Sequence, residues 1–113
     1  MRRGGGAPDF AAIAQLYEAL WRMTGSPVAA LNRAAALAEA QGPAAGLAAL
    51  ATLADDPRLA TYQPWWAARA ELLARAGQAA AAAEAYDRAI GLESDPAVRD
   101  FLMERKAALR TQP

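Results

Sequence analysis

The stretch Ser26–Asp55, SPVAALNRAAALAEAQGPAAGLAALATLAD, decides how the rest of the chain is read. Small and apolar residues recur on either side of Gly42-Pro43 at three- and four-residue intervals, the pattern of two helices folded back on each other at a turn. The same logic returns in WWAARAELLARAGQAAAAAEAYDRAIGLE, Trp65–Glu93, with Gly77 in the place of Gly42. Leu31 and Trp66, Ala35 and Ala70, and Gly42 and Gly77 are each 35 residues apart. That is close to the roughly 34-residue period of helix-pair repeats. The expectation is an all-α chain of successive antiparallel helix pairs.

Upstream of this stretch, Asp9 suits a helix N-cap, and FAAIAQLYEALWRM runs from it with Phe10, Ile13, Leu16, Tyr17, Leu20 and Trp21 on one apolar stripe. Gly25 is placed to end that helix in the left-handed region, and Ser26-Pro27 starts the next. The second helix is expected to turn Val28, Leu31, Ala35 and Ala38 to one side up to Gln41. The third continues through Gly46, Leu47, Leu50 and Leu53 to about Ala54. Alanine at the crossing lets helix backbones approach closely.

Downstream, DDPRLATYQ breaks the pattern, since Pro57 allows at most one helical turn before Pro64. A fourth helix is expected over 64–76 and a fifth over 79–92. A sixth should start at Ser94-Asp95-Pro96 and run to about Arg110, with Val98, Phe101, Leu102 and Leu109 inward and Arg99, Asp100, Glu104, Arg105, Lys106 and Arg110 outward. Trp66, Ala70, Leu73, Gly77, Ala82, Tyr86 and Ala89 follow the size order of a tetratricopeptide (TPR) repeat. The first repeat follows it less closely and needs one residue deleted after its turn. The expected architecture is a TPR-like right-handed stack of antiparallel helix pairs, about six helices in one domain over 9–110, with a flexible leader at 1–8 and a tail at 111–113.

Composition limits the chemistry. The chain has 113 residues, 12 basic and 12 acidic, with no Cys and no His. Balanced charge gives no field that favours nucleic acid or an anionic membrane. Without thiol or imidazole there is no disulfide, no imidazole base and no ordinary zinc site. Ser26 and Ser94 each precede a proline-started helix and are read as caps. Paired carboxylates such as Asp55 and Asp56 are read as turn and cap residues rather than a catalytic pair. No catalytic, cofactor-binding or metal-binding residue is assigned, so the reading is a non-enzymatic cytoplasmic protein with no cofactor and no membrane span.

From Phe10 to Arg110 the chain resembles the C-terminal TPR-like extension carried by one group of extracytoplasmic-function RNA polymerase sigma factors. The resemblance rests on IAQLYEAL at Ile13–Leu20, SPVAALNRAAALAEAQGPAAGL at Ser26–Leu47, AARAELLARAG at Ala67–Gly77, and AAEAYDRAI ahead of FLMERKAAL. Phe10 stands where that family usually has Trp, and Tyr62-Gln63-Pro64-Trp65-Trp66 replaces its common Tyr-His pair. The DNA-contacting and polymerase-contacting sigma domains are not in this sequence, so promoter reading and core binding do not carry over. The resemblance implies the extension's role, an interaction module that controls or supports sigma activity through sigma domains, RNA polymerase or a regulator. The chain is either a fragment of such a factor or a free-standing copy. The alternative, from a different class, is a TPR-like adaptor unrelated to transcription that binds a peptide or helix in its concave groove.

In helical repeats the first helix of each pair lines the concave side. The groove residues expected from that alignment are Asn32, Ala36 and Glu39 from one pair and Ala67, Glu71 and Arg75 from the next, with Arg33 and Arg69 beside them. The competing structural reading bonds Asn32 to a neighbouring helix end and pairs the arginines with Glu18, Glu39 or Glu71. Trp66 is assigned to the core. Trp65 is either covered by the 55–62 insertion, the favoured reading, or exposed as a partner contact. The first helix is expected to leave Phe10, Tyr17 and Trp21 partly uncovered and to self-associate or pack there on another protein. Arg2-Arg3 and Arg105-Lys106, offset by Asp100 and Glu104, are read as solvated rather than phosphate-binding.

Overall fold

Three helix starts carry a carboxylate that satisfies free backbone donors, and three bends carry a glycine with positive φ; between them they set the chain path. The structure, a computed structural model, describes residues 8–109, and among these it holds six α-helices and no strand. They are α1 (Phe10–Thr24), α2 (Pro27–Gln41), α3 (Pro43–Ala51), α4 (Gln63–Arg75), α5 (Ala79–Leu92) and α6 (Pro96–Ala108). A single 3-10 turn, Pro57–Leu59, lies between α3 and α4. The expected tail, Arg110, Arg2, Arg3 and all of the leader except Pro8 lie outside the described residues.

Asp9 caps α1 by accepting from the Ala12 N–H at 3.0 Å, and Asp95 caps α6 by accepting from the Ala97 N–H at 2.9 Å. The serines do not act as expected. Ser26 holds the cap position of α2 without a side-chain bond; its carbonyl accepts from Ala30 N–H at 3.2 Å, and Pro27 leaves one donor fewer to satisfy. Ser94 lies one residue too early, because Asp95 takes the cap of α6.

Gly25, Gly42 and Gly77 have φ of 66°, 101° and 83°, a region L side chains avoid. Gly42 alone joins α2 to α3. Ala76, Gly77 and Gln78 join α4 to α5, and the Gln78 N–H donates to the Leu73 carbonyl at 2.9 Å while the Gly77 N–H donates to Ala74 at 3.0 Å. Those two bonds form a Schellman motif. Helix α3 stops at Ala51 rather than Ala54. The Thr52 hydroxyl donates to the Ala49 carbonyl at 2.7 Å, and the next backbone bonds span three residues, which tightens the chain out of the α-helix.

The broadest interfaces are α4 with α5, α1 with α2, and α2 with α3; α4 then meets α3, and α6 meets α5. The core has two centres. One gathers Leu31, Leu50, Leu53, Leu59, Trp65 and Leu72, the other Ala70, Leu73, Tyr86, Ala89, Leu102 and Leu109. Leu47 and Trp66 touch both and join them. Three residues expected inward are exposed. Val28 and Ala35 are exposed on α2, and Phe101 is 59% exposed because α6 packs on α5 through Leu102 and Leu109 instead.

Candidate functional site

An apolar concavity lies where α1, α2 and α4 come together. Its floor is Phe10, Ile13 and Tyr17 from α1, Leu31 and Ala35 from α2, and Leu72 from α4. Asn32, Glu39, Glu71 and Arg75 stand around it, so four of the six polar residues expected from sequence are brought to one place together with Ala36, while Ala67 packs against the second core centre. Its volume is about 260 Å³, below the range of about 300–1,000 Å³ usual for small-molecule sites. That is the volume of one or two amino-acid side chains.

Arg75 Nη1 lies 3.1 Å from Glu39 Oε2 and 4.0 Å from Glu71 Oε2, so one guanidinium links α2 to α4 at the lip. All three side chains are substantially exposed, and such a surface pair contributes at most about 1 kcal/mol. The Asn32 amide has no hydrogen-bond partner among the described residues, contrary to the reading that tied it to a helix end. The other two expected polar residues lie elsewhere. Arg33 Nε approaches Glu18 Oε1 at 4.0 Å across α1 and α2. Arg69 projects from a different side of α4, into a shallow depression with Trp66, Glu84 and Arg88.

The insertion covers Trp65, as the favoured reading has it, and Trp66 is the less buried of the pair. Trp65, named above as a candidate exposed contact, is 4% exposed and packs in the first core centre with Leu59 of the insertion. Trp66 is half-buried at the junction of the two centres, with its Nε1–H donating to the Ala60 carbonyl at 3.0 Å. The indole that keeps a polar edge is therefore the one at the surface.

Phe10, Tyr17 and Trp21 are each half-buried, the first two along the groove and Trp21 against the first core centre. The apolar side chains that α1 leaves open are Leu16, Leu20 and Met23, of which Met23 is 81% exposed. The three recur at four- and three-residue spacing, so they form one stripe.

The insertion is fastened by charge. Asp56 accepts from the Arg58 N–H at 2.9 Å and from the Arg58 guanidinium at 2.7 Å, while Arg58 Nη1 donates to the Gly25 carbonyl at 3.1 Å. The Arg58 side-chain hydrogen bonds, then its backbone N–H, hold the Asp56 carboxyl below its ordinary range. The side-chain hydrogen bonds to Asp56, and then its negative charge, raise Arg58. Asp56 is therefore occupied as a cap.

Sequence reasoning missed a second opening, of about 640 Å³, between α5 and α6. Ala79, Ala80 and Ala83 are too short to fill it against Met103, and Asp87 Oδ1 and Lys106 Nζ bridge it at 2.7 Å. It also missed the contribution of α1 to the groove floor, for which the three- and four-residue spacing of Phe10, Ile13 and Tyr17 was the available signal.

Set against known proteins, the chain is 36% identical over 105 residues to an uncharacterized protein of Rhizobium meliloti (strain 1021). That match takes in 93% of this chain and 24% of the relative, so the chain spans about a quarter of the relative's length. No protein-family model matches the chain, and no solved structure matches it. Among the described residues, no helix is long and apolar enough to cross a membrane.

Proposed function

We propose that this chain is a non-catalytic, TPR-like protein-interaction module in which a partner polypeptide docks between α1, α2 and α4. The helix pairs α2–α3 and α4–α5 are read as successive repeats of a right-handed stack, with α1 and α6 at its two ends. The groove carries the reading. Its floor is apolar, and its lip bears an unpartnered amide at Asn32 and an exposed guanidinium at Arg75 shared between two carboxylates. A docked segment supplies an apolar side chain to Phe10, Tyr17 and Leu31, and a backbone or carboxylate group to Asn32 and Arg75. The partner class comes from the sequence resemblance: sigma domains or core RNA polymerase, in control of transcription initiation. A relative about four times as long as the matched stretch is in keeping with a module that works within or beside other domains.

The test is a pull-down with the purified chain, offered core polymerase and sigma domains separately. Retention of either, lost when Ala35→Trp fills the groove and kept with Ala48→Trp on the exposed face of α3, is the expected outcome. Equal retention by both variants removes the groove from the account. Retention of neither component, with an unrelated peptide bound in the groove, replaces the transcriptional reading with that of an adaptor.

A further inference from the structure

A different face of α4 carries a cluster that the groove does not use. Trp66 and Arg69 of α4 and Ala81, Glu84, Ala85 and Arg88 of α5 enclose a depression of about 200 Å³. Arg22, Arg33, Arg58 and Arg75 each face a carboxylate. Arg69 and Arg88 do not. Arg69 is half-buried and, among the described residues, its side chain has neither an ion pair nor a hydrogen bond. Arg88 has Glu84 one helical turn behind it, the spacing and order that favour an ion pair, yet its guanidinium carbon lies 4.8 Å from the centroid of the Trp66 ring.

The platform under Arg88 is fixed. The Trp66 indole is bonded to Ala60 at 3.0 Å and stands edge-on to Trp65 at 6.4 Å between centroids. The Arg88 guanidinium lies over the Trp66 ring and, among the described residues, makes no side-chain hydrogen bond or ion pair, so its N–H groups are free. Two cations with free donors therefore border one dent with an aromatic wall and two alanine methyl groups.

We propose that this dent binds a carboxylate, the acidic side chain of a partner polypeptide, held between the Arg69 and Arg88 guanidinium groups. Glu84 at the rim leaves a local charge of one positive unit, which suits a monoanion better than a phosphate dianion. The planar fork of arginine matches a carboxylate in two-point contact. The stem of the acidic residue lies along Trp66, Ala81 and Ala85. This site is separate from the α1–α2–α4 groove and stands or falls without it.

Side-chain NMR of the nitrogen-15-labelled chain reads the site directly. Triglutamate peptide is the probe, with triglutamine peptide and inorganic phosphate as separate arms. The Arg69 and Arg88 Nε–H and Trp66 Nε1–H resonances shift together and saturate with triglutamate, stay in place with triglutamine, and leave Arg105 unaffected. Arg69→Gln and Arg88→Gln, checked for unchanged helical circular dichroism, each weaken triglutamate binding about tenfold, the scale of one charge-assisted hydrogen bond. Even shifts over all arginines, wild-type affinity in both variants, or saturation by phosphate at lower concentration than by triglutamate each overturn the proposal.

Discussion

The two hairpins, α2–α3 and α4–α5, solve the same packing problem with different residues. In the first, a single residue, Gly42, makes the bend, and the helices come so close that a Cβ on Gly46 would lie 2.9 Å from the Ala34 carbonyl, 2.9 Å from the Ala38 methyl and 2.8 Å from Leu72 Cδ1. In the second, three residues make the bend. The position matching Gly46 after the one-residue deletion is Ala82, fully buried, and the position matching Leu50 is Tyr86. The second hairpin thus holds a methyl group where the first has no room for one, and an aromatic ring where the first has a leucine. The repeat recurs within this chain as an order of sizes, small then large, built on two turns of different length.

The second helices differ as well. Helix α5 has 14 residues and α3 has 9. Where α3 stops short, the insertion supplies the missing volume with Leu59, and Trp65 closes over it. The first hairpin is thus completed from outside itself, while the second is completed by its own length.

The largest effect that tests this comparison is Leu50→Ala. Leu50 has no exposed surface, and its truncation is expected to lower stability by about 2–5 kcal/mol in urea unfolding. A loss under about 1 kcal/mol would mean that the first centre collapses around the gap, and the claim of tight spacing would fail. Next comes Gly46→Ala. Helix propensity alone favours alanine by about 1 kcal/mol, but the added methyl meets a backbone oxygen that cannot rotate away, so a net loss of roughly 1–2 kcal/mol is expected. The reverse change in the second hairpin, Ala82→Gly, also destabilises. Stabilisation by Gly46→Ala would show that the two hairpins are equally spaced.

Smaller effects probe what fastens one hairpin to the other. Arg75→Ala removes the link from α4 to Glu39 of α2 and should change stability by less than about 1 kcal/mol, with the difference shrinking in salt. A larger, salt-insensitive loss would make that link a structural strut rather than part of an adaptable lip. The smallest effect is set by pH. The Asp56 carboxyl is held below its ordinary range by Arg58, so its contribution is complete above the unfolded-state pKa and is lost as pH falls through the lower folded-state value. Asp56→Asn should therefore melt below the wild type at neutral pH and converge with it in acid. A gap that persists or widens in acid contradicts this assignment.

Most of this fold could be read from residue order. Among the described residues Gly25, Gly42 and Gly77 fall at the positive-φ bends, Asp9 caps the first helix, and Pro57 starts the 3-10 turn that breaks the pattern. Periodicity failed at edges. It identifies the apolar side of a helix but not how much of that side a neighbour reaches, which is why Val28, Leu16 and Phe101 are exposed. At Trp65-Trp66 the register of an ideal repeat assigns Trp66 to the core; Trp66 packs there only half-buried, and Trp65, covered by the insertion as the favoured reading has it, is the deeper of the two. The insertion presents Leu59 to the preceding indole, and Trp66 is the one with a carbonyl for its N–H. For the groove, alignment of the two repeats brought Asn32, Glu39, Glu71 and Arg75 together correctly. It misplaced Arg33 and Arg69 because adjacent helical positions diverge by about 100°.

The interaction surface is tested most directly by a photo-reactive amino acid placed at Ala35, exposed in the groove, and in a second preparation at Ala48, exposed on α3. Each preparation is irradiated in the presence of core polymerase and sigma domains. The account predicts a cross-linked partner from position 35 and none from position 48. Equal cross-linking from both positions, or cross-linking from 48 alone, would contradict it.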